Sequence, residues 1–190
     1  YPLQDLTPFM TRNRFTNNAN ANPVGKFAFD NGILDVNTLR LGYQAFTNDS
    51  YCNGTLTVGG NATNSALLKV NTDLDLGHTS GDSASGANAS KGYGQITINT
   101  NGTVMANQIT VGQLSANNTI TINNGGTLAV TNTLASVATR LNTLTVNSGG
   151  ALTLNMNGAN TLVFVTNLVA NSGIINIASV TVSSTFAPII

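Results

Sequence analysis

Five side chains between positions 73 and 91 stand close enough together to do acid–base or metal chemistry: Asp73, Asp75, His78, Asp82 and Lys91. In the run Asp73-Leu74-Asp75-Leu76 the leucines turn inward on a strand, so the two carboxylates project outward side by side. Two such carboxylates, joined by Asp82 or by loop carbonyls, form an oxygen set of the kind Ca²⁺ takes. Paired acids on an outer strand face also serve simply to keep that strand soluble. No resident metal or cofactor is therefore expected. His78 reads as a lone, solvated imidazole in a polar loop. Beyond Lys91 the only charged residue is Arg140. General acid–base catalysis needs two titratable groups within reach, so the C-terminal half is expected to hold no catalytic pair.

What must position these residues is a repeat. Ile96, Ile120, Leu144 and Leu168 fall 24 residues apart, followed by Ile98, Ile122, Val146 and Ala170. Gly102, Gly126 and Gly150 keep the same beat, as do Gly125, Gly149 and Gly173. Each copy holds an alternating apolar run, an Asn that closes it, a Gly-containing turn and a second alternating run. Alternation at period 2 means half-buried strands, and a fixed period of this length means stacked units. Ile120, Ile122, Leu128 and Val130 are expected to point inward, with Thr121, Thr127 and Ala129 outward. The closing residues Asn99, Asn123, Asn147 and Asn171 are expected at left-handed corners, which Asn tolerates. Stacked at the inter-strand distance, their amides can bond to one another in a ladder.

Upstream the beat is looser. Asn31-Gly32-Ile33-Leu34-Asp35-Val36 resembles Asn53-Gly54-Thr55-Leu56-Thr57-Val58. Taking Leu34, Leu56, Leu74, Val104, Leu128, Leu152 and Ile175 as one column predicts about seven turns of roughly 24 residues, from residue 31 to 182. Residues 1–30 lack the alternation. Their Leu3, Leu6, Phe9, Met10 and Phe15 suit a cap on the open end of the stack, or else an arm pairing with a neighbouring subunit. Residues 77–93, GHTSGDSASGANASKGY, are almost free of aliphatics and are expected to form a lateral loop. The final residues, 183–190, form a tail with no polar cap. That points to further solenoid or to end-to-end stacking of like subunits.

Composition narrows the function. The 190 residues carry no net charge, only 7% are charged, and neither Glu nor Trp is present. Nucleic-acid binding needs a basic face, so it is not expected. No apolar run approaches the length of a membrane-spanning helix. The single Cys52 rules out an internal disulfide. The chain opens at Tyr1 without a Met, as a processed or excised piece would. An uncharged, Asn- and Thr-rich chain suits an exported surface protein. Six N-x-S/T sequons, at Asn48, Asn53, Asn61, Asn88, Asn101 and Asn117, are candidate glycosylation sites expected at outer corners or loops.

The repeated text GTLTV-GGN, TITINNGGTLAV and LNTLTVNSGGALTL resembles the autotransporter-associated β-strand repeats of bacterial surface proteins, over roughly residues 31–177. That resemblance implies an all-β, right-handed parallel β-helix at the cell surface, acting as stalk, adhesin or fibre. The 190 residues do not include the membrane barrel of the autotransporter pattern. The stretch Asn71-Thr72-Asp73 with Gly77-His78 is also superficially similar to the NTD and GH signatures of polygalacturonase-type glycoside hydrolases. There the signatures sit on separate turns beside an Asp-Asp pair and an Arg-Ile-Lys, and neither of these is found here. The expectation is a non-enzymatic structural or adhesive β-solenoid. The alternative is a carbohydrate-binding or polysaccharide-cleaving β-helix working through Asp73, Asp75 and the lateral loop, with Tyr43, Tyr51 and Tyr93 as its aromatics. A phage tail-fibre segment is a third reading.

Overall fold

A computed structural model describes residues 3–5, 12–13, 24–44, 51–78, 91–112, 117–155 and 163–178. Strands are the only regular elements among them. In chain order they begin with β1 (Leu3–Asp5), β2 (Arg12–Asn13), β3 (Val24–Phe29), β4 (Gly32–Leu41) and β5 (Tyr43–Gln44). Next come β6 (Tyr51–Val58), β7 (Ala66–Leu76), β8 (Lys91–Ile98), β9 (Gly102–Ala106) and β10 (Ile109–Val111). The last six are β11 (Thr119–Ile122), β12 (Thr127–Val130), β13 (Leu141–Asn147), β14 (Ala151–Asn155), β15 (Val165–Asn171) and β16 (Ile174–Ala178).

The chain passes back and forth between two parallel sheets. One runs β1-β4-β7-β9-β12-β14-β16, with β10 also on β7, and the other runs β3-β6-β8-β11-β13-β15. Each strand therefore lies beside its counterpart from the previous passage, the arrangement of a β-solenoid or β-helix. The reason is the alternation read in the sequence. A strand with one apolar face must bury it, and like strands in register bury it in continuous files. Phe27, Leu56, Ile96, Ile120, Leu144 and Leu168 make one such file in the second sheet. Leu34, Leu68, Val104, Leu128, Leu152 and Ile175 make its partner in the first. Ile120, Ile122, Leu128 and Val130 are fully buried, as expected, while Thr121, Thr127 and Ala129 face outward and are half-exposed.

Two upstream expectations are corrected. Leu56 belongs to the second sheet, beside Ile96, and Asn53-Gly54 pairs with Tyr93-Gly94. Leu74 lies on a third apolar file, with Leu39 and Ile109, that the isolated bridges extend to Leu134 and Val163. The assumed single column mixed three. The spacing of 24 holds from Ile96 to Leu168, but earlier passages lengthen to 29 and 40 residues (Phe27 to Leu56 to Ile96). Connections on the outside vary without disturbing the strands they join. In β4 and β7 the second and third files share one long strand, bent where the register shifts between Val36 and Thr38.

The first residues behave as part of the stack. β1 pairs with β4 and β2 with β5, both parallel, and β3 is a full member of the second sheet. At the corner after the third file the backbones come very close. Gly42 has φ +71°, and a Cβ there would stand 2.1 Å from the Tyr93 carbonyl oxygen. Only glycine fits both constraints.

Candidate functional site

The asparagine ladder forms as expected. Asn123 Nδ2 donates to Asn99 Oδ1 at 2.8 Å, Asn147 to Asn123 at 2.8 Å, and Asn171 to Asn147 at 3.0 Å. It stops at Asn99 because the residue one rung earlier is Gly59, which has no side chain. Its backbone differs from expectation. The left-handed conformation falls two residues later in the turn, on Asn101, Gly125 and Gly149, and one residue later, on Ser172, at the last turn. The ladder residues thus serve through their side-chain amides and through the carbonyls of Asn99, Asn123 and Asn147, which accept from Gly102, Gly126 and Gly150 to close the turns.

Further polar stacks were missed. Asn132 Nδ2 donates to Asn107 Oδ1, whose own Nδ2 reaches the Thr72 carbonyl at 3.4 Å. Asn118, fully buried, accepts the Gly94 amide at 2.7 Å while its own N–H donates to Asn142 Oδ1 at 2.9 Å. Asn118 and Asn142 were detectable, being one period apart.

The outward acids of β7 are the chemical candidate, and both differ from the expected solvated pair. Asp75 is only 4% exposed. Its Oδ2 accepts from His78 Nδ1 at 2.8 Å and lies 3.5 Å from Arg40 Nε. His78 is accordingly not a lone imidazole. Its ring stacks on Tyr43, with centroids 5.2 Å apart and an interplanar angle of 14°, and Arg40 lies 5.9 Å from the centre of the same Tyr43 ring. These contacts fold a cation, a carboxylate, an imidazole and a phenol into one knot. Strand pairing sets it: Arg40 sits directly beside Asp75. Glycines Gly42 and Gly77 then turn the chain so that Tyr43 and His78 lie over each other.

Asp73, two residues back, faces the same side. Thr110 Oγ1 donates to both of its carboxylate oxygens, at 2.9 and 2.8 Å. Burial pushes the Asp73 carboxyl above the usual carboxylate range; the Thr110 bond opposes this, and the nearby Asp75 charge adds to it. The elevated acid is thus held by a neutral hydroxyl, while its neighbour is closed in by the Arg40 guanidinium and the His78 ring.

No known protein family, curated protein or solved structure matches this chain. What the site can do must therefore be read from its own geometry. Glycosidic cleavage uses two carboxyl groups on opposite sides of the bond, whereas Asp73 and Asp75 share one strand face. A Ca²⁺ ion wants six to eight oxygens, yet the partners of Asp75 are nitrogen donors. Asp82, the third member of the suggested Ca²⁺ set, lies outside the described residues. Among the described residues no group of three or more His, Cys, Asp or Glu is placed to hold a metal ion.

The aromatics suggested for sugar binding are divided. Tyr43 is engaged by His78, and Tyr93 is half-buried in β8 beside Asn53. Of the lateral loop, residues 79–90 lie outside the described set, while Lys91 to Tyr93 belong to β8. Among the sequons, Asn48 and Asn88 also lie outside. Asn101 and Asn117 are exposed, and Asn61 accepts from Thr63 and Asn64 in a tight polar turn. Asn53 departs from the expected corner position: it is a strand residue paired on both sides, with its side-chain oxygen closed to solvent.

Proposed function

We propose that this chain is a structural or adhesive segment of an extracellular surface protein, folded as a right-handed parallel β-helix of about seven turns. In this reading it resembles the autotransporter-associated repeats and works as a stalk or fibre. The observation that carries it is the unbroken stack of like residues: files of aliphatics inside, and a four-residue asparagine ladder along one edge. Such files fill the space between the sheets with aliphatic side chains. The titratable groups are few, and those on β7 are engaged by neighbouring strands and the corner: Lys69 by Asp35, Asp73 by Thr110, and Asp75 by Arg40 and His78.

End-to-end stacking of copies accompanies this reading. β3 and β15 are the outermost strands of the second sheet among the described residues. Val24 and Phe27 on one, and Leu168 and Val169 on the other, are exposed apolar residues. Nor do β15 and β16 carry the charges or prolines that usually guard a strand edge. Negative-stain microscopy and sizing over a concentration series test it. Filaments or lengthening rods are expected, and a monomer at every concentration overturns it.

A second reading has its own observation, the Tyr43–His78 stack over a buried carboxylate. Planar rings beside fixed polar groups are the ingredients of a sugar site. If that site binds glycans, a glycan array will give selective capture that Asp75→Asn removes. Turnover of a polysaccharide abolished by Asp73→Asn would displace the structural reading altogether.

A further inference from the structure

We propose that the outer face of the second sheet binds ice. Strands β6, β8, β11 and β13 pair without a register shift over this face, which places Thr57, Thr97, Thr121 and Thr145 in one straight file. Thr55, Gln95, Thr119 and Thr143 form the file beside it. Seven of the eight positions are threonine, and each points outward and is half-exposed. Neighbouring strands are about 4.8 Å apart, and alternate residues on a strand about 6.6 Å apart. The result is a two-dimensional grid of threonines, broken only at Gln95, with two fixed repeats.

A small ligand is held in a concave pocket, whereas a periodic grid selects a partner that is itself periodic. Threonine is suited to ordering water. Its hydroxyl both donates and accepts, and water settles around its methyl without bonding to it. Its β-branch fixes χ1, so the grid is set before anything binds. Waters bridging such hydroxyls take up the spacing of the strands. A face of ice is such a periodic partner, a lattice of oxygens that both donate and accept hydrogen bonds. Crystalline polysaccharide is the other periodic surface to consider. The grid itself holds no aromatic ring for a sugar face to stack on, and the Tyr93 ring stands at its margin beside Gln95; a flat array of hydroxyls and methyls favours ice.

A merely Thr-rich composition does not account for the grid. The outward files of the first sheet are mixed: Ile33, Leu67, Thr103, Thr127, Ala151 and Ile174 in one. The other begins with Asp35 and Lys69, paired at 3.1 Å, and continues through Met105. Charge and shape vary along that face, while the threonine grid is uncharged across its four strands; beyond them its files end in Lys26 and Ala28 on β3 and in Asn167 and Val169 on β15. The inference is independent of the scaffold reading, since it uses only the outer surface.

The test is ice growth in supercooled solutions of the intact chain. Expected are faceted crystals, a gap between melting and growth temperatures, and inhibited recrystallisation. Thr97→Lys and Thr121→Lys should each abolish the gap, while Thr103→Lys and Thr127→Lys on the other sheet should leave it. The same-shaped replacements Thr97→Val with Thr121→Val, at half-exposed strand positions that suit a β-branched residue, should lose part of it with folding checked by circular dichroism. Round, freely growing crystals with folded protein overturn the proposal. So does equal loss from substitutions on either sheet, an unchanged gap in the valine variant, or retention on crystalline cellulose with no effect on ice.

Discussion

Asn123 illustrates how single side chains act in this molecule. It donates to Asn99 and accepts from Asn147, so its amide is satisfied on both sides. Replacing it breaks two bonds, taking the donor from Asn99 Oδ1 and the acceptor from Asn147 Nδ2. Asn123→Ala is expected to cost about 1–3 kcal/mol. Asn171→Ala, at the exposed end of the ladder and losing one bond, should cost less. Chemical denaturation of both variants checks the order. Asp73 gives a prediction in pH. Its carboxyl is raised in the folded state, chiefly by burial, so ionisation costs stability above that raised value. The cost disappears as pH falls through the raised value to the ordinary carboxylate range. Asp73→Asn, which still accepts from Thr110, should therefore be the more stable form at neutral pH, and its advantage should vanish on acidification. Asp35 works in the opposite sense: bonds from Asn71 and Lys69 lower its pKa, and that contribution is lost at still lower pH. Urea midpoints across a pH series separate the two; an advantage of Asp73→Asn that grew on acidification would reverse the assignment.

At the scale of strands and corners, the outcome turns on apolar files and glycine turns. Ile122 is fully buried between Ile98 and Val146, so Ile122→Ala should cost about 2–5 kcal/mol. Gly42→Ala places a methyl against the Tyr93 carbonyl at positive φ and should destabilise by more than about 1 kcal/mol. Thermal melts of the two variants test packing and corner separately. How much of this was legible depended on the connections. From Ile96 to Leu168 the strands of the second sheet keep one spacing, so the period and the ladder could be read directly. Before that, variable connections hid the order, and Leu56 and Leu74 were placed in a file to which they do not belong. A second beat lay unread in LRLGY at 39–43 and LDLGH at 74–78, two stretches 35 residues apart. It aligns Arg40 with Asp75 and Tyr43 with His78, the partners that turned a supposedly solvated histidine into part of a knot. A search tuned to 24 residues could not see them, and side-chain contacts across a corner leave no spacing signal of their own.

For the whole molecule, stability is shared between neighbouring passages of the chain, because each one covers only the next. One complete period should then be removable. Excising residues 124–147 joins Asn123 to Ser148 in the same phase, and the shortened chain should fold with its ladder one rung shorter. Excising residues 124–135 breaks phase and should abolish the cooperative melt. The central claim, that like residues stand on adjacent rungs, is tested most directly by cysteine pairs on the second sheet. Thr97 and Thr121 are direct neighbours, as are Thr121 and Thr145, while Thr97 and Thr145 are separated by a full strand. Under mild oxidation, Thr97→Cys with Thr121→Cys and Thr121→Cys with Thr145→Cys should each close an intramolecular disulfide, read by mass, and Thr97→Cys with Thr145→Cys should stay open. Ready closure of the outer pair, with the two neighbouring pairs remaining reduced, would contradict the stack and everything built on it.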